Sequence, residues 1–249
     1  MILPNIVVNE WAYLKATESG MDSIRNCRDK KHFISYSKNV DYNYNSRGFR
    51  DVEWPNKDLD NVIWCFGDSF TVGLGQPFEE TWVRQLNKTH TTINISMDGA
   101  SVNWITNKVI NVVKFINPKI IIIQWTFLHR REHPDTSLSD TKRRIWYSGS
   151  TVEQDVENFI ECIKRIENIT NKTKVIHSWI PLLDSSDSQC AYPKALIKLL
   201  RHNNIILENA VTDNIQLDLA RDGFHYDILT SKKYVKHYTN IIGNTNDYR

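Results

Sequence analysis

Ser69, Asp222 and His225 are the residues whose types and spacing could do chemistry together. A serine hydroxyl is a weak nucleophile until a base removes its proton. An imidazole can do so near neutral pH, and a carboxylate against its other nitrogen fixes the required tautomer. Asp222-Gly223-Phe224-His225 places carboxylate and imidazole three residues apart across a Gly-containing turn. Ser69 stands in Gly67-Asp68-Ser69, a tripeptide that alone reads as a helix N-cap. Its setting argues for more. Residues 62–66 (VIWCF) are a short apolar run closed by a turn signal, which reads as a buried parallel strand. Ligands of open α/β sheets bind outside the carboxyl ends of the strands, and Ser69 would sit at such an end.

The elements that must position these residues alternate along the chain. Strands are expected over 62–66, 92–96, 120–125, 174–179 and 205–207. Helices are expected over 78–88, 102–115, 152–169, 193–202 and 229–242. Such alternation gives βαβ units, hence an α/β fold: a three-layer α/β/α sandwich around a parallel sheet of about five strands. Polar loops over 128–150 and 183–192 interrupt the alternation. Residues 1–58 form an N-terminal extension packing on a main domain of residues 59–249. Within the extension, 9–19 is expected as a short helix and 35–50 as loop and extended chain. Tyr36, Tyr42 and Tyr44 are expected to anchor the extension on the main domain.

Composition removes several classes. With 249 residues and 41% hydrophobic content the chain can bury one sizeable core. The formal net charge is +2 and no basic stripe appears, so nucleic acid is not an expected partner. Lys142-Arg143-Arg144 reads as a solvated loop. The four cysteines show no C-x-x-C spacing, and Cys65 and Cys162 read as buried apolar side chains in a reducing compartment. No secretory signal or membrane-spanning run is visible, so a cytoplasmic location is expected, or a virion-associated one if the chain is phage-encoded. His129, Glu132 and His133 bunch in one loop without an i, i+4 frame, so neither a metal nor a cofactor is expected. His177 reads as a satisfied core histidine.

The motifs together resemble those of the SGNH (GDSL-type) hydrolases. Phe66-Gly67-Asp68-Ser69-Phe70-Thr71 is similar to the first family block, Asp98-Gly99-Ala100-Ser101 to the second, and Asp222-Gly223-Phe224-His225 to the last. Order and approximate spacing also agree, over about residues 60–243. Ser46-Arg47-Gly48-Phe49-Arg50 is similar to a lead-in found in some phage and bacterial members. The resemblance implies a flavodoxin-like sheet, Ser69 as nucleophile, His225 as general base and Asp222 as its orienting partner. It also implies an oxyanion hole built from the N–H groups of Ser69 and Gly99.

One block departs. Where the family has Gly-x-Asn-Asp, this chain has Gln124-Trp125-Thr126-Phe127, so Thr126 stands where an Asn would donate the third bond to the oxyanion. A threonine hydroxyl has one proton to give and a shorter reach. Asn103 is a candidate substitute donor. Arg130 could meet a substrate carboxylate or sugar hydroxyls. Trp104, Trp125, Trp146 and Trp179 could line a sugar groove, although packing is their commoner use. The expectation is a serine hydrolase of small acyl esters or acylated glycans, such as a carbohydrate O-acetyl esterase. The alternatives are an O-acyltransferase and a non-catalytic binding or structural protein on the same fold.

Overall fold

The computed structural model describes residues 15–16, 21–132, 146–147, 151–181 and 188–243. Four apolar runs form the main sheet: β1 (Ile63–Gly67), β2 (Thr92–Ser96), β3 (Ile120–Trp125) and β4 (Lys174–Trp179). All pair in parallel, in the order β2-β1-β3-β4. The helices are α1 (Lys30–Ser35), α2 (Ser69–Val72), α3 (Trp82–Leu86), α4 (Val102–Ile116), α5 (Val152–Glu167), α6 (Ser188–His202) and α7 (Ile228–Gly243).

Strand side chains alternate between two faces. Trp64, Phe66, Ile93, Ile95, Ile121, Ile123 and Trp125 enter one core, which α4, α5 and α6 cover through residues such as Val109, Phe159 and Leu196. Ile63, Cys65, Ile122 and Ile176 enter the other, which α3 and α7 cover through Trp82, Val83, Tyr234 and Tyr238. Covered on both sides, the strands are apolar without a polar face. Local signals start the helices. The Ser101 hydroxyl accepts the Trp104 N–H at 3.0 Å to cap α4, and Thr151 with Gln154 forms a capping box on α5.

The sheet has four strands where about five were expected. Residues 205–207 do not join it, because the Ile205 N–H goes to the Leu200 carbonyl at the end of α6 and Ile206 faces solvent. A single parallel bridge, His177 to Ala210, marks the fifth position. Its two bonds run from His177 N–H to Asn209 O (2.8 Å) and from Val211 N–H to His177 O (2.7 Å). Within the stretch expected as an N-terminal helix, Lys15–Ala16 instead pairs antiparallel with Tyr42–Asn43. The rest of that stretch lies outside the described residues.

Residues 21–51 are fastened to the main sheet's surroundings by polar contacts. Arg50 is fully buried and donates to the carbonyls of Asp41 (2.8 Å), Val72 (3.2 Å), Gly73 and Gln76 (2.7 Å). Asp51 accepts the Asn94 N–H at 2.8 Å and so covers the outer edge of β2, an edge that would otherwise offer unpaired backbone groups. Tyr42 is buried and its hydroxyl accepts the Gly75 N–H at 2.8 Å. Tyr36 donates to Asp227 at 2.9 Å.

Candidate active site

β1 ends at Gly67, and the chain turns at once into the one-turn helix α2. The turn is tight because Gly67 lacks a side chain: a Cβ there would lie 2.0 Å from Thr71 Oγ1. Asp68 caps the helix by accepting the Phe70 N–H at 3.0 Å. Ser69 follows, 4% exposed, at the carboxyl end of β1. The order β2-β1-β3 makes this the switch point of the sheet, the position where open α/β folds bind ligands.

Asp222 and His225 arrive from the turn ahead of α7. Gly223 permits that turn with φ 68°. Ser69 Oγ lies 2.8 Å from His225 Nε2, and His225 Nδ1 is hydrogen-bonded to Asp222 Oδ2. Asp222 Oδ1 accepts the N–H groups of Phe224 and His225, both at 2.9 Å. All three residues are buried. Burial pushes the Asp222 carboxyl up, but the His225 ring and these two N–H groups outweigh it and hold the carboxyl below its ordinary value. Phe70 packs against the His225 ring at 4.4 Å between centroids.

Gly99 takes a left-handed φ of 68° three residues beyond β2, whose last residue Ser96 is paired with Gly67. The Met97 N–H bonds to Gly67 O at 3.3 Å and joins the two strand ends. Thr126, at the end of β3, is also present. Its hydroxyl proton, however, goes to Asp68 Oδ2 at 2.6 Å, which corrects its expected use as an oxyanion donor. Arg130 comes back over the same point. Its Nη1 donates to Asp68 Oδ2 at 2.9 Å and to Thr126 Oγ1 at 3.2 Å.

The other expected contacts fall elsewhere. Asn103 bonds Asn158 across the α4–α5 interface at 3.0 Å, so its amide serves helix packing. Trp125 is fully buried, stacks on His177 and donates to His177 Nδ1 at 3.1 Å, so it lines no groove. Trp104 and Trp179 are buried packing residues too. The side chain of Trp146, and His133, lie outside the described residues, as does Lys142-Arg143-Arg144. Arg131 pairs with Asp155 of α5 at 2.7 Å. Gln124 links α2 to the histidine loop: its Oε1 accepts from Thr71 Oγ1 at 2.9 Å and Tyr226 OH at 3.1 Å. Among the described residues no group of His, Cys, Asp and Glu is placed to hold a metal, and no helix is long and apolar enough to cross a membrane.

Sequence reasoning missed the clamp that the extension places on the Asp222–His225 turn. Asp22, fully buried, pairs with Arg221 through Nε (2.9 Å) and Nη2 (2.8 Å). His32 Nε2 lies 2.8 Å from Ala220 O, and the Arg28 N–H donates to Asp222 O at 3.1 Å. Arg28 also lays its guanidinium over Phe224. These partners stand nearly two hundred residues apart in sequence, and no local signal ties them. An apolar cavity of about 470 Å³ opens beside Phe127 and Leu128, between α5 and α6.

No protein-family model matches the chain, and no curated protein matches it in sequence. Solved structures do match. The crystal structure of TesA superposes with a TM-score of 0.52 and 14% identity, covering 74% of this chain and 98% of that one. The psychrotrophic esterase EstA from Pseudoalteromonas sp. gives a TM-score of 0.47 and 17% identity, over 74% and 98% of the two chains. A family two carbohydrate esterase from Clostridium thermocellum, solved with cellohexaose, gives 0.48 and 14%, over 78% and 67%. At such identities a likeness speaks to architecture, and the architecture of this chain is the α/β/α fold of the SGNH hydrolases.

Proposed function

We propose that the protein hydrolyses small acyl esters through an acyl-enzyme on Ser69. The observation that carries this reading is the chain of contacts from Ser69 Oγ to His225 Nε2 at 2.8 Å and from His225 Nδ1 to Asp222. Ser69 Oγ attacks the ester carbonyl carbon while its proton passes to His225 Nε2, and the carbonyl electron pair moves onto oxygen. The N–H groups of Ser69 and Gly99 donate to that oxygen. The tetrahedral intermediate collapses, the C–O bond to the alcohol breaks, and His225 returns the proton to the leaving alkoxide. Water, deprotonated by His225, then attacks the acyl-enzyme and releases the acid and Ser69. Asp222 holds the imidazole tautomer and balances its transient positive charge.

A nucleophile only 4% exposed, with Phe70 packed on its base, suits a short acyl group such as acetyl. The motif resemblance extends the proposal to O-acetyl groups on a glycan. The test is a chain-length series of p-nitrophenyl esters and an acetylated glycan, with wild-type protein beside Ser69→Ala. Ser69-dependent turnover that falls from acetate to octanoate is expected. Turnover that survives in Ser69→Ala would sink the mechanism, and a preference for octanoate would sink the short-acyl part.

A further inference from the structure

We propose that Arg130 is the third oxyanion donor of this site, taking the place of a side-chain amide after β3; the inference rests on the hydrolase reading above. Thr126 stands at the end of β3 but has no proton to offer, since its hydroxyl donates to Asp68 at 2.6 Å. Asn103 is held at the α4–α5 interface. Arg130 is the cation that reaches this point. Its Nη1 bonds both Asp68 and Thr126, the residues following β1 and β3, which places that end of the guanidinium at the switch point, at the carboxyl ends of the two strands.

Two physical arguments support the role. Asp68 is a fully buried carboxylate one residue from the nucleophile. Left unpaired, its charge would oppose the negative charge that develops on the carbonyl oxygen; the 2.9 Å ion pair with Arg130 offsets it. Beyond Nη1, the guanidinium keeps further donors. Its Nε–H is buried and out of a substrate's reach, so in a side chain 12% exposed the donor role falls to Nη2. An arginine carries five N–H donors in a fixed fork and cannot be deprotonated. It therefore has donors left after the structural bonds are made, which Thr126 does not. The Phe127 ring, 4.7 Å below the guanidinium, fixes its plane. When Ser69 Oγ bonds to the carbonyl carbon and the C=O electron pair moves to oxygen, an Arg130 N–H donates to that oxygen beside the N–H groups of Ser69 and Gly99.

The experiment measures kcat and KM on p-nitrophenyl acetate for wild type, Arg130→Ala, Arg130→Gln and Arg130→Lys, with thermal unfolding of each. Methylguanidine is then added to Arg130→Ala. Loss of one oxyanion donor should lower kcat by about 10²–10³ with KM changed little. Methylguanidine should restore part of it. Arg130→Lys keeps the charge beside Asp68 but loses the fork, and should still lose at least about tenfold in kcat while unfolding like wild type. If Arg130→Ala does not fold, the Lys variant decides alone. Wild-type kcat in Arg130→Lys would show that charge balance suffices and overturn the donor role. A raised KM with unchanged kcat would make Arg130 a ground-state binding group and overturn it as well. Wild-type protein without Ser69-dependent turnover would overturn the hydrolase reading and this one with it, whereas active wild type with indifferent Arg130 variants would overturn this one alone.

Discussion

Single residues carry the central features of this protein, and their physical demands can be separated. Asp222 bonds the His225 ring and two backbone N–H groups, so on the proposed mechanism its replacement should cost tautomer control more than fold. Asp222→Asn should lower kcat by about 10³–10⁴ on p-nitrophenyl acetate, with the unfolding midpoint moved little by comparison. An Asn variant within tenfold of wild type would assign the carboxylate a structural role only. The juxtaposition of Ser69, Asp222 and His225 was legible in sequence because each motif is local. A strand end, a glycine turn and an i, i+3 pair each announce themselves within a few residues. Arg130 was legible as a candidate for a substrate carboxylate or sugar hydroxyls, but not as the partner of Asp68 and Thr126. The bond to Asp68 joins residues 62 positions apart, which only the sheet order brings together. Thr126 stood in the expected place, but the direction of its proton could not be read from its position.

At the scale of elements, the four strands and α4, α5 and α7 follow from apolar periodicity and caps, with boundaries within about two residues of those expected. The helix expected from Pro193 instead begins at Ser188 and carries Pro193 inside it, and the helix expected over 78–88 is a short turn, Phe78–Glu80, followed by α3. The fifth strand failed because an apolar triplet after a helix does not by itself win a sheet edge. There Ile205 spends its N–H on the Leu200 carbonyl that ends α6. Of the one-turn helix α2 only the cap signal was legible, since four residues show no period; it forms because Asp68 caps it and Gly67 lets it fold back. The loop after α2 is shaped from outside by Arg50, which ties the carbonyls of Val72, Gly73 and Gln76 to Asp41 in the extension. Arg50→Ala leaves these buried acceptors without partners and should cost about 3 kcal/mol of stability. Chemical denaturation compared at one pH checks this. A cost below about 1 kcal/mol would mean that water replaces the guanidinium and that the extension does not set this loop.

Across the whole molecule, residues 21–51 and the main sheet behave as one packed unit, joined through Asp22–Arg221, Arg50 and Asp51. Two carboxyls then give stability opposite pH slopes. Asp222 is held below its ordinary value of 3.8, so its contribution is present above that value and is lost as pH falls through its lower folded value. Asp51 is pushed by burial to about 6, against the bonds from Asn94, Val52 and Trp54. For a carboxyl raised on folding, the folded state holds the proton more tightly. Asp51 therefore costs nothing below about pH 4 and takes stability away progressively as pH rises through about 6. Asp51→Asn should remove that component: relative to wild type it should be more favourable at pH 7 than at pH 4.5 in denaturant midpoints. An unchanged difference between the two pH values would place the Asp51 charge in contact with water.

The reactivity of one hydroxyl, that of Ser69, decides whether this site is nucleophilic. Folded protein treated with a fluorophosphonate at neutral pH, digested and mapped by mass, should carry a single phosphonyl adduct on the peptide holding Gly67-Asp68-Ser69. The adduct should sit on Ser69, be absent from Ser69→Ala, and form far more slowly in His225→Ala. Folded wild-type protein that stays unlabelled, or that is labelled equally in Ser69→Ala, would contradict the assignment of Ser69 as the nucleophile.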